Sequence, residues 1–436
     1  MPYQGGSRLP GENSSKIAHL EVLKSPLVKR LVESFEKAPI DEEKSDRGWI
    51  PIPKNGTKIK YIYGVDGSVQ SINSSISPYS RIAYVKTAII RIDTFALSRL
   101  DKENPHPLIL QDIIDKSVAC HTTAFPLQNV KITGMSNYDA IRGILFESLK
   151  DDAAGMEGKI LDTLKWLVFE KWGPNREYLP KFQCPHCLEE VATLPFDAES
   201  GNCPGCGKNI LITDLFGFHI VMGEDTAPDA IATDYMTIHE TLLLLTAIRL
   251  VWEDKTKDIS KFLFVKDGPL SIRAQYSKLI VPIRNFIEHA KNSGHPIHII
   301  GQEKSGAFFD HLQYIVKDAP EGSMLILQDE YIKSEIQHRP LNGAFYGKDT
   351  NFGAKVLLKL NNYHNMVLNI PVRKFKPNPT QEDLIGIEDI LATIPEIISY
   401  RHEGGLIPIE LAHGIVSLST YPSAHILQLF TEQHQS

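Results

Sequence analysis

The sequence predicts an α/β or α+β chain carrying a small zinc-binding segment. Three observations lead there. Short runs of β-branched and aromatic residues alternate with stretches of helical periodicity. Four of only five cysteines fall in two close CxxC pairs. Of 436 residues, 42% are hydrophobic and 23% charged, the balance of an ordinary globular protein. The length admits two or three domains, or one large domain with an insertion. It is enough to bury a core without covalent staples, which excludes a disordered body, a collagen, a coiled coil and a small disulfide scaffold.

Residues 1–15 are polar and rich in Gly, Pro and Ser, and read as a mobile tail. Residues 16–38 carry helical spacing through Ile17, Leu20, Leu23, Leu27, Leu31, Val32 and Phe35, split in two by Ser25-Pro26. An acidic linker follows, with Asp41, Glu42, Glu43 and Asp46. Tyr61–Val65 reads as a buried strand that ends in Asp66-Gly67-Ser68, and residues 82–95 as one or two further strands. Residues 137–171 look helical, a cysteine-bearing segment interrupts at 181–212, and helical pattern resumes from Asp234 to Trp252. Phe262–Val265 is a second buried strand, ending in Asp267-Gly268-Pro269. A helix near 275–293, strands at 298–300, 323–328 and 354–360, and helices at 381–400 and from about Pro408 complete the chain. There is no internal repeat and no low-complexity tract.

The formal net charge is −7. Nucleic acid, if bound, must be met by a local groove, a metal site or a partner rather than by the overall field. Five cysteines are too few for a disulfide framework, and two tight pairs point to metal in a reducing compartment. The first residues lack an apolar h-region. The most apolar stretch, Thr241–Trp252, is short and holds Arg249, so it does not span a bilayer. A cytoplasmic protein without membrane contact is the expectation.

Cys184-Pro-His-Cys187 and Cys203-Pro-Gly-Cys206 are separated by 15 residues. Paired turns of this kind supply four thiolates in a tetrahedron, the preferred surroundings of Zn²⁺. Four cysteines close the shell and leave no position for water, so the zinc is structural. A docking or nucleic-acid-touching ribbon is the functional alternative, although Lys181 and Lys208 against Glu189, Glu190 and Glu199 make no basic patch. His186 sits inside a knuckle as a bystander, and Cys120 reads as a buried bystander.

Two apolar strands each run into Asp-Gly, at Asp66 and Asp267. An Asp at such a strand end points a carboxylate into the crevice there, and the Gly turns the chain away. Asp-Gly is also a common turn dipeptide. Its occurrence after two apolar strands favours a site for hard cations such as Mg²⁺ or Mn²⁺, two of which would activate water against a phosphodiester. Such a site needs another carboxylate. Glu240, at the head of an apolar helix, is one candidate; Glu147 and Glu253 are its rivals. His413, in Pro408-Ile-Glu-Leu-Ala-His413, is a structural histidine or a further ligand.

The order YGVDGS, a helix with Glu240, FVKDGPL, IIGQEKSG and IPIELAH resembles the NurA family of nucleases over roughly residues 55–420. The resemblance implies an RNase H-like mixed sheet flanked by helices, formed by residues 51–180 and 213–436. The N-terminal tail and helices (1–50) would precede it and the zinc ribbon (181–212) would interrupt it. It implies a metal-dependent DNA nuclease, typically with manganese, acting as a homodimer docked on a hexameric HerA-type DNA-translocating ATPase, in end processing or anti-phage defence. Asp66, Glu240, Asp267 and His413 match the metal-binding and catalytic positions. Lys304, in QEKSG, matches loosely a lysine at a strand end that touches phosphate. The family often has an aromatic residue before the late histidine, where this chain has Gly404-Gly405-Leu406-Ile407. A zinc ribbon is not a usual family feature. A non-catalytic adaptor that docks a partner through the ribbon is the alternative from another class, and the residues themselves do not separate DNA from RNA.

Overall fold

The computed structural model describes residues 24–35, 47–74, 79–97, 118–151, 159–223, 230–273, 278–402, 404–419 and 421–435. The readings of the 1–15 tail, of helix at 16–23 and of the acidic linker lie outside them. The chain divides into two units, residues 1–47 and 48–436. The first contains helix α1 (Pro26–Ser34), started by Ser25, whose side chain accepts from the Val28 N–H at 3.4 Å. Pro26 at the first helical position has no N–H to leave unpaired.

The second unit is organised by a sheet. Its strands are β1 (Ile50–Pro51), β2 (Tyr61–Asn73), β3 (Arg81–Asp93), β4 (Val118–Gln128), β7 (Phe262–Asp267), β8 (His298–Glu303), β9 (Ser323–Ile326), β10 (Gly353–Lys359) and β11 (Asn365–Pro371). Their order is β1-β9-β10-β11-β8-β7-β2-β3-β4, while β5 (Ser200–Asn202) and β6 (Asn209–Leu211) pair separately. β2, β3 and β4 are antiparallel neighbours; β7 is parallel to β2, and β8 to β7. Three antiparallel strands followed by two parallel to the first is the RNase H-like arrangement. Antiparallel β11, β10, β9 and β1 extend it beyond β8.

β2 does not end at Asp66-Gly67-Ser68, as the sequence suggests. It continues to Asn73 because β3 pairs with it from Tyr61↔Asp93 to Asn73↔Arg81. Residues 81–93 are thus one strand rather than two. β4 and β11 escape the sequence reading. β4 carries Thr122, Thr123 and Pro126, a proline that a sheet tolerates because β4 is its outermost strand.

Helices cover both faces. α2 (Asn137–Lys150), α3 (Lys159–Val168) and α4 (Ala230–Glu253) share one core with Val65 and Phe264 of the sheet. α4 is apolar around its whole circumference and buried along most of its 24 residues, as a helix enclosed on all sides must be. α5 (Ile280–Asn292) joins the same core, and α6 (Ala307–Ile315) packs over β11. On the opposite face, α7 (Ile387–Ile397) and α8 (Ile407–Val416) pack with Ile62, Leu263 and Val265. α9 (Ser423–Gln435) ends the chain's described part and lies against β2. Among the described residues no helix is long and apolar enough to cross a membrane.

Candidate active site

The site forms where β2 and β7 run parallel. Their register pairs Val65 with Lys266, so the next residues, Asp66 and Asp267, stand side by side on adjacent strands. Asp66 is buried in mid-strand, and its position depends on the glycines around it. A Cβ on Gly64 would lie 2.5 Å from the Pro408 carbonyl oxygen of α8, and one on Gly67 would lie 2.6 Å from Glu240 Oε1 of α4. Gly64 therefore lets α8 press on one face of β2, and Gly67 admits the Glu240 carboxylate from the other. At β7 the expected turn is real: the strand ends at Asp267 and Gly268 takes φ +80°, a conformation that glycine enters without steric cost.

α8 carries His413, whose Nδ1 lies 2.9 Å from Asp66 Oδ2. The Gly67 N–H donates to Asp66 Oδ1 at 2.7 Å. Glu240, on α4, is buried and ion-paired with the equally buried Lys266, Nζ to Oε2 2.8 Å. Lys266 Nζ also donates to the Asp267 carbonyl oxygen at 2.8 Å. Lys304, beyond the end of β8, reaches Asp267 Oδ2 at 3.1 Å. Asp66, Glu240, Lys266, Asp267 and Lys304 line a cleft of about 450 Å³, and His413 touches it through Asp66. Arg273 stands at its rim, paired with Asp234 at 2.7 Å.

Burial and like charge dominate the electrostatics. Burial raises Asp66 to about 6, and the nearby Asp267 adds to this against the opposing pull of the Gly67 N–H, His413 and Lys304. Burial lifts Glu240 to about 7 despite Lys266, with Asp66 and Asp267 pushing the same way. Carboxylates sharing one cleft repel one another, and Asp66 and Glu240 are costly to ionise there. Hard oxygen donors with an imidazole beside them suit Mn²⁺ or Mg²⁺, so the donor set fits such an ion.

Of the three rival glutamates, the structure brings Glu240 to the two aspartates. Glu253 lies at the far end of α4, about 20 Å along the axis at 1.5 Å per residue, and pairs with Arg249 at 3.4 Å. Glu147 is exposed on α2 and lines a separate, shallow cleft with His121 and Thr123. Lys266, Glu303 and Lys355 are participants that sequence reasoning missed. Lys266 directly follows the apolar run Phe262–Val265 of β7, a signal visible in the sequence. Glu303 also lines the cleft and is held by Lys355 of β10 and by Asn369 of β11, whose Nδ2 donates at 2.6 Å. That link joins residues far apart in sequence, so no local pattern exposes it.

The second centre is made of sulfur. Cys184, Cys187, Cys203 and Cys206 have all four Sγ atoms within 4.8 Å of one another. They are the one group of three or more His, Cys, Asp and Glu ligand atoms among the described residues to converge so closely. The Cys184–Cys206 and Cys187–Cys203 separations are 3.8 and 4.0 Å. A tetrahedron with Zn–S bonds of about 2.3 Å has edges of about 3.8 Å, so the cluster fits zinc. The two knuckles repeat one design. The N–H two residues beyond the first cysteine donates to its sulfur, from His186 to Cys184 and from Gly205 to Cys203, each at 3.4 Å. The residue after the second cysteine, Leu188 or Gly207, takes a left-handed φ of 63° or 72°. His186 Nε2 is 2.8 Å from the Asn209 carbonyl and is no part of the cluster. Cys120 is half-buried on β4 and outside both centres.

The cysteine segment is not a lobe apart. Phe182, Cys184, Leu194, Cys203, Ile210 and Phe216 belong to the core that also contains α2, α3 and α4. The buried Arg142 of α2 makes a two-pronged ion pair with Asp214, both bonds 2.9 Å. Tyr138 donates to the Pro185 carbonyl at 2.7 Å, tying a knuckle to the same helix.

No protein-family model matches the chain, and no curated protein matches it. Solved structures of NurA do. A crystal structure of NurA is 13% identical, covering 98% of both chains with a TM-score of 0.28. NurA bound to dAMP and manganese is 12% identical, covering 97% of both chains with a TM-score of 0.32. NurA with manganese is 11% identical, covering 94% of this chain and 96% of that one with a TM-score of 0.28. At such identities and scores, the function of the cleft has to be argued from the residues of this chain.

Proposed function

We propose that the protein is a metal-dependent nuclease that hydrolyses DNA phosphodiester bonds at the β2–β7 cleft. One observation carries the reading: Asp66 and Asp267 stand at neighbouring register positions of parallel strands, with Glu240 entering from one face of the sheet and His413 from the other. Asp66 and Asp267, with Glu240 behind them, would hold Mn²⁺ or Mg²⁺. Such an ion supplies Lewis-acid stabilisation of charge on phosphate and acidifies water.

The chain's own groups do the rest. Asp66 Oδ2 accepts from His413 Nδ1–H and fixes the ring, leaving Nε2 on a side chain 61% exposed at the surface. A nitrogen so placed takes a proton from the attacking water or returns one to the leaving oxygen. Lys304, one-third exposed, is within reach of a phosphate oxygen, and Arg273 sits at the rim to position the strand. DNA as the substrate, a homodimer, a HerA-type ATPase partner, a cytoplasmic setting and a role in end processing or phage defence follow the resemblance of the motifs. The test is cleavage of linear DNA with Mn²⁺ and with EDTA, wild type beside Asp66→Ala. Activity lost in both EDTA and the variant supports the reading; equal inertness of wild type and variant, with the ATPase present, favours a non-catalytic adaptor.

A further inference from the structure

Of the five carboxylates lining the cleft, Asp234 is paired with Arg273 at 2.7 Å and two more are bound to buried ammonium groups. Glu240 is held by Lys266, whose side chain is 3% exposed and donates to both Glu240 Oε2 and the Asp267 carbonyl. Glu303 is held by Lys355, also 3% exposed, with Phe308 over its ammonium and Asn369 donating to the same carboxylate oxygen. Asp66 and Asp267 have no such buried partner. His413 meets Asp66 from a largely exposed position, and Lys304, one-third exposed, has room to swing off Asp267 into solvent. These pairs leave Asp66 and Asp267 as the cleft carboxylates open to a divalent ion. A second ion on the Glu240 side would have to approach the buried ammonium of Lys266, in a setting of low dielectric where like charges repel most strongly.

We infer that the centre takes a single divalent ion, held at Asp66 and Asp267, because Lys266 fills the cation position beside Glu240. The inference rests on the metal-nuclease reading and revises the two-ion expectation drawn from the sequence. Lys266 is on this account a positioning residue: it sets how many ions bind.

The test is a count. Zinc-loaded protein is titrated with Mn²⁺ and free ion is followed by electron paramagnetic resonance, wild type beside the Asp66→Asn/Asp267→Asn double variant. The difference in bound ions isolates the cleft from adventitious surface sites. A difference of one is expected, with an uncoupled Mn²⁺ spectrum. A difference of two, with the spin-coupled spectrum of neighbouring ions, overturns the inference while leaving the nuclease reading intact. A difference of none removes the metal-nuclease reading itself. Lys266→Met is expected to raise the count to two; a folded Lys266→Met protein that still binds one ion shows that the lysine does not set the number. If that variant does not fold, the wild-type count decides alone.

Discussion

The two centres solve opposite problems. The four sulfurs are already drawn together at the spacing a tetrahedral ion requires, and their surroundings are part of the main core. The carboxylates converge on a cleft without closing around a point, and lysines hold them apart. The first is built so that a metal completes the fold. The second keeps charge available to a solvent-filled space at a cost in stability. A structural metal site minimises what remains unsatisfied, whereas a site for chemistry preserves it.

The sharpest way to break that contrast is to remove a ligand from each centre. Asp66→Ala and Asp267→Ala are expected to lower Mn²⁺-dependent cleavage by about a thousandfold or more, while the metal-free protein stays at least as stable as wild type, since a repelling charge is lost. Retained cleavage by the double variant, in nuclease-free preparations, sinks the assignment. Glu240→Gln should approach the same loss, and Glu147→Gln and Glu253→Gln should leave cleavage unchanged; the reverse outcome would move the site to another helix.

Cys184→Ser/Cys206→Ser is expected to act on the fold as a whole. Position in sequence alone suggests that only local order is lost, but the ribbon's side chains are shared with α2, α3 and α4. Loss of about 3–5 kcal/mol should appear as a lower urea midpoint for the entire second unit, along with loss of the one bound zinc. An unchanged midpoint would show the ribbon to be separable.

The acidic centre should also impose a pH dependence. Asp66 and Glu240 are raised from 3.8 to about 6 and from 4.5 to about 7. Groups raised by folding favour the folded state while protonated, so their contribution is full below about pH 4 and disappears as pH climbs through 6 and 7. Metal-free protein should therefore lose several kcal/mol between pH 4 and 8. The comparison is a pair of urea titrations, in which Asp66→Asn/Glu240→Gln flattens the slope and Mn²⁺ stabilises wild type more at pH 8 than at pH 5. A wild type as steep as the variant would remove the electrostatic account.

The smallest effect belongs to the knuckles. Leu188 occupies a left-handed position that Gly207 fills in the sister turn. Leu188→Gly should stabilise by at most about 1 kcal/mol, relief of strain partly offset by chain entropy, with zinc content and cleavage unaltered. Destabilisation would show that the exposed leucine makes a contact worth more than its strain.

Much of this was legible in the sequence, for local reasons. The cysteine spacing, the apolar runs before Asp66 and Asp267, and the helical period around Glu240 are patterns within a few residues of each other. What escaped depends on distance. β2 runs through its Asp-Gly because β3 pairs with it, and the choice among Glu240, Glu147 and Glu253 depends on which turn of which helix meets Gly67. β4 and β11 hide because threonines and asparagines interrupt their apolar alternation. The pairs Lys266–Glu240 and Lys355–Glu303 join residues 26 and 52 positions apart, where composition offers no guide.

The two glycines flanking Asp66 bear on how this chain's descendants would diverge. Gly64 and Gly67 are required by the close approach of helices on opposite faces of β2, whether or not any bond is ever cut. A lineage that abandoned catalysis would remain bound to both glycines by packing, yet would be released from Asp66 and would gain stability by replacing it. In a decayed copy the motif would thus keep its frame and lose its centre. Asp66, rather than the motif as a whole, distinguishes a working enzyme from an inherited shape.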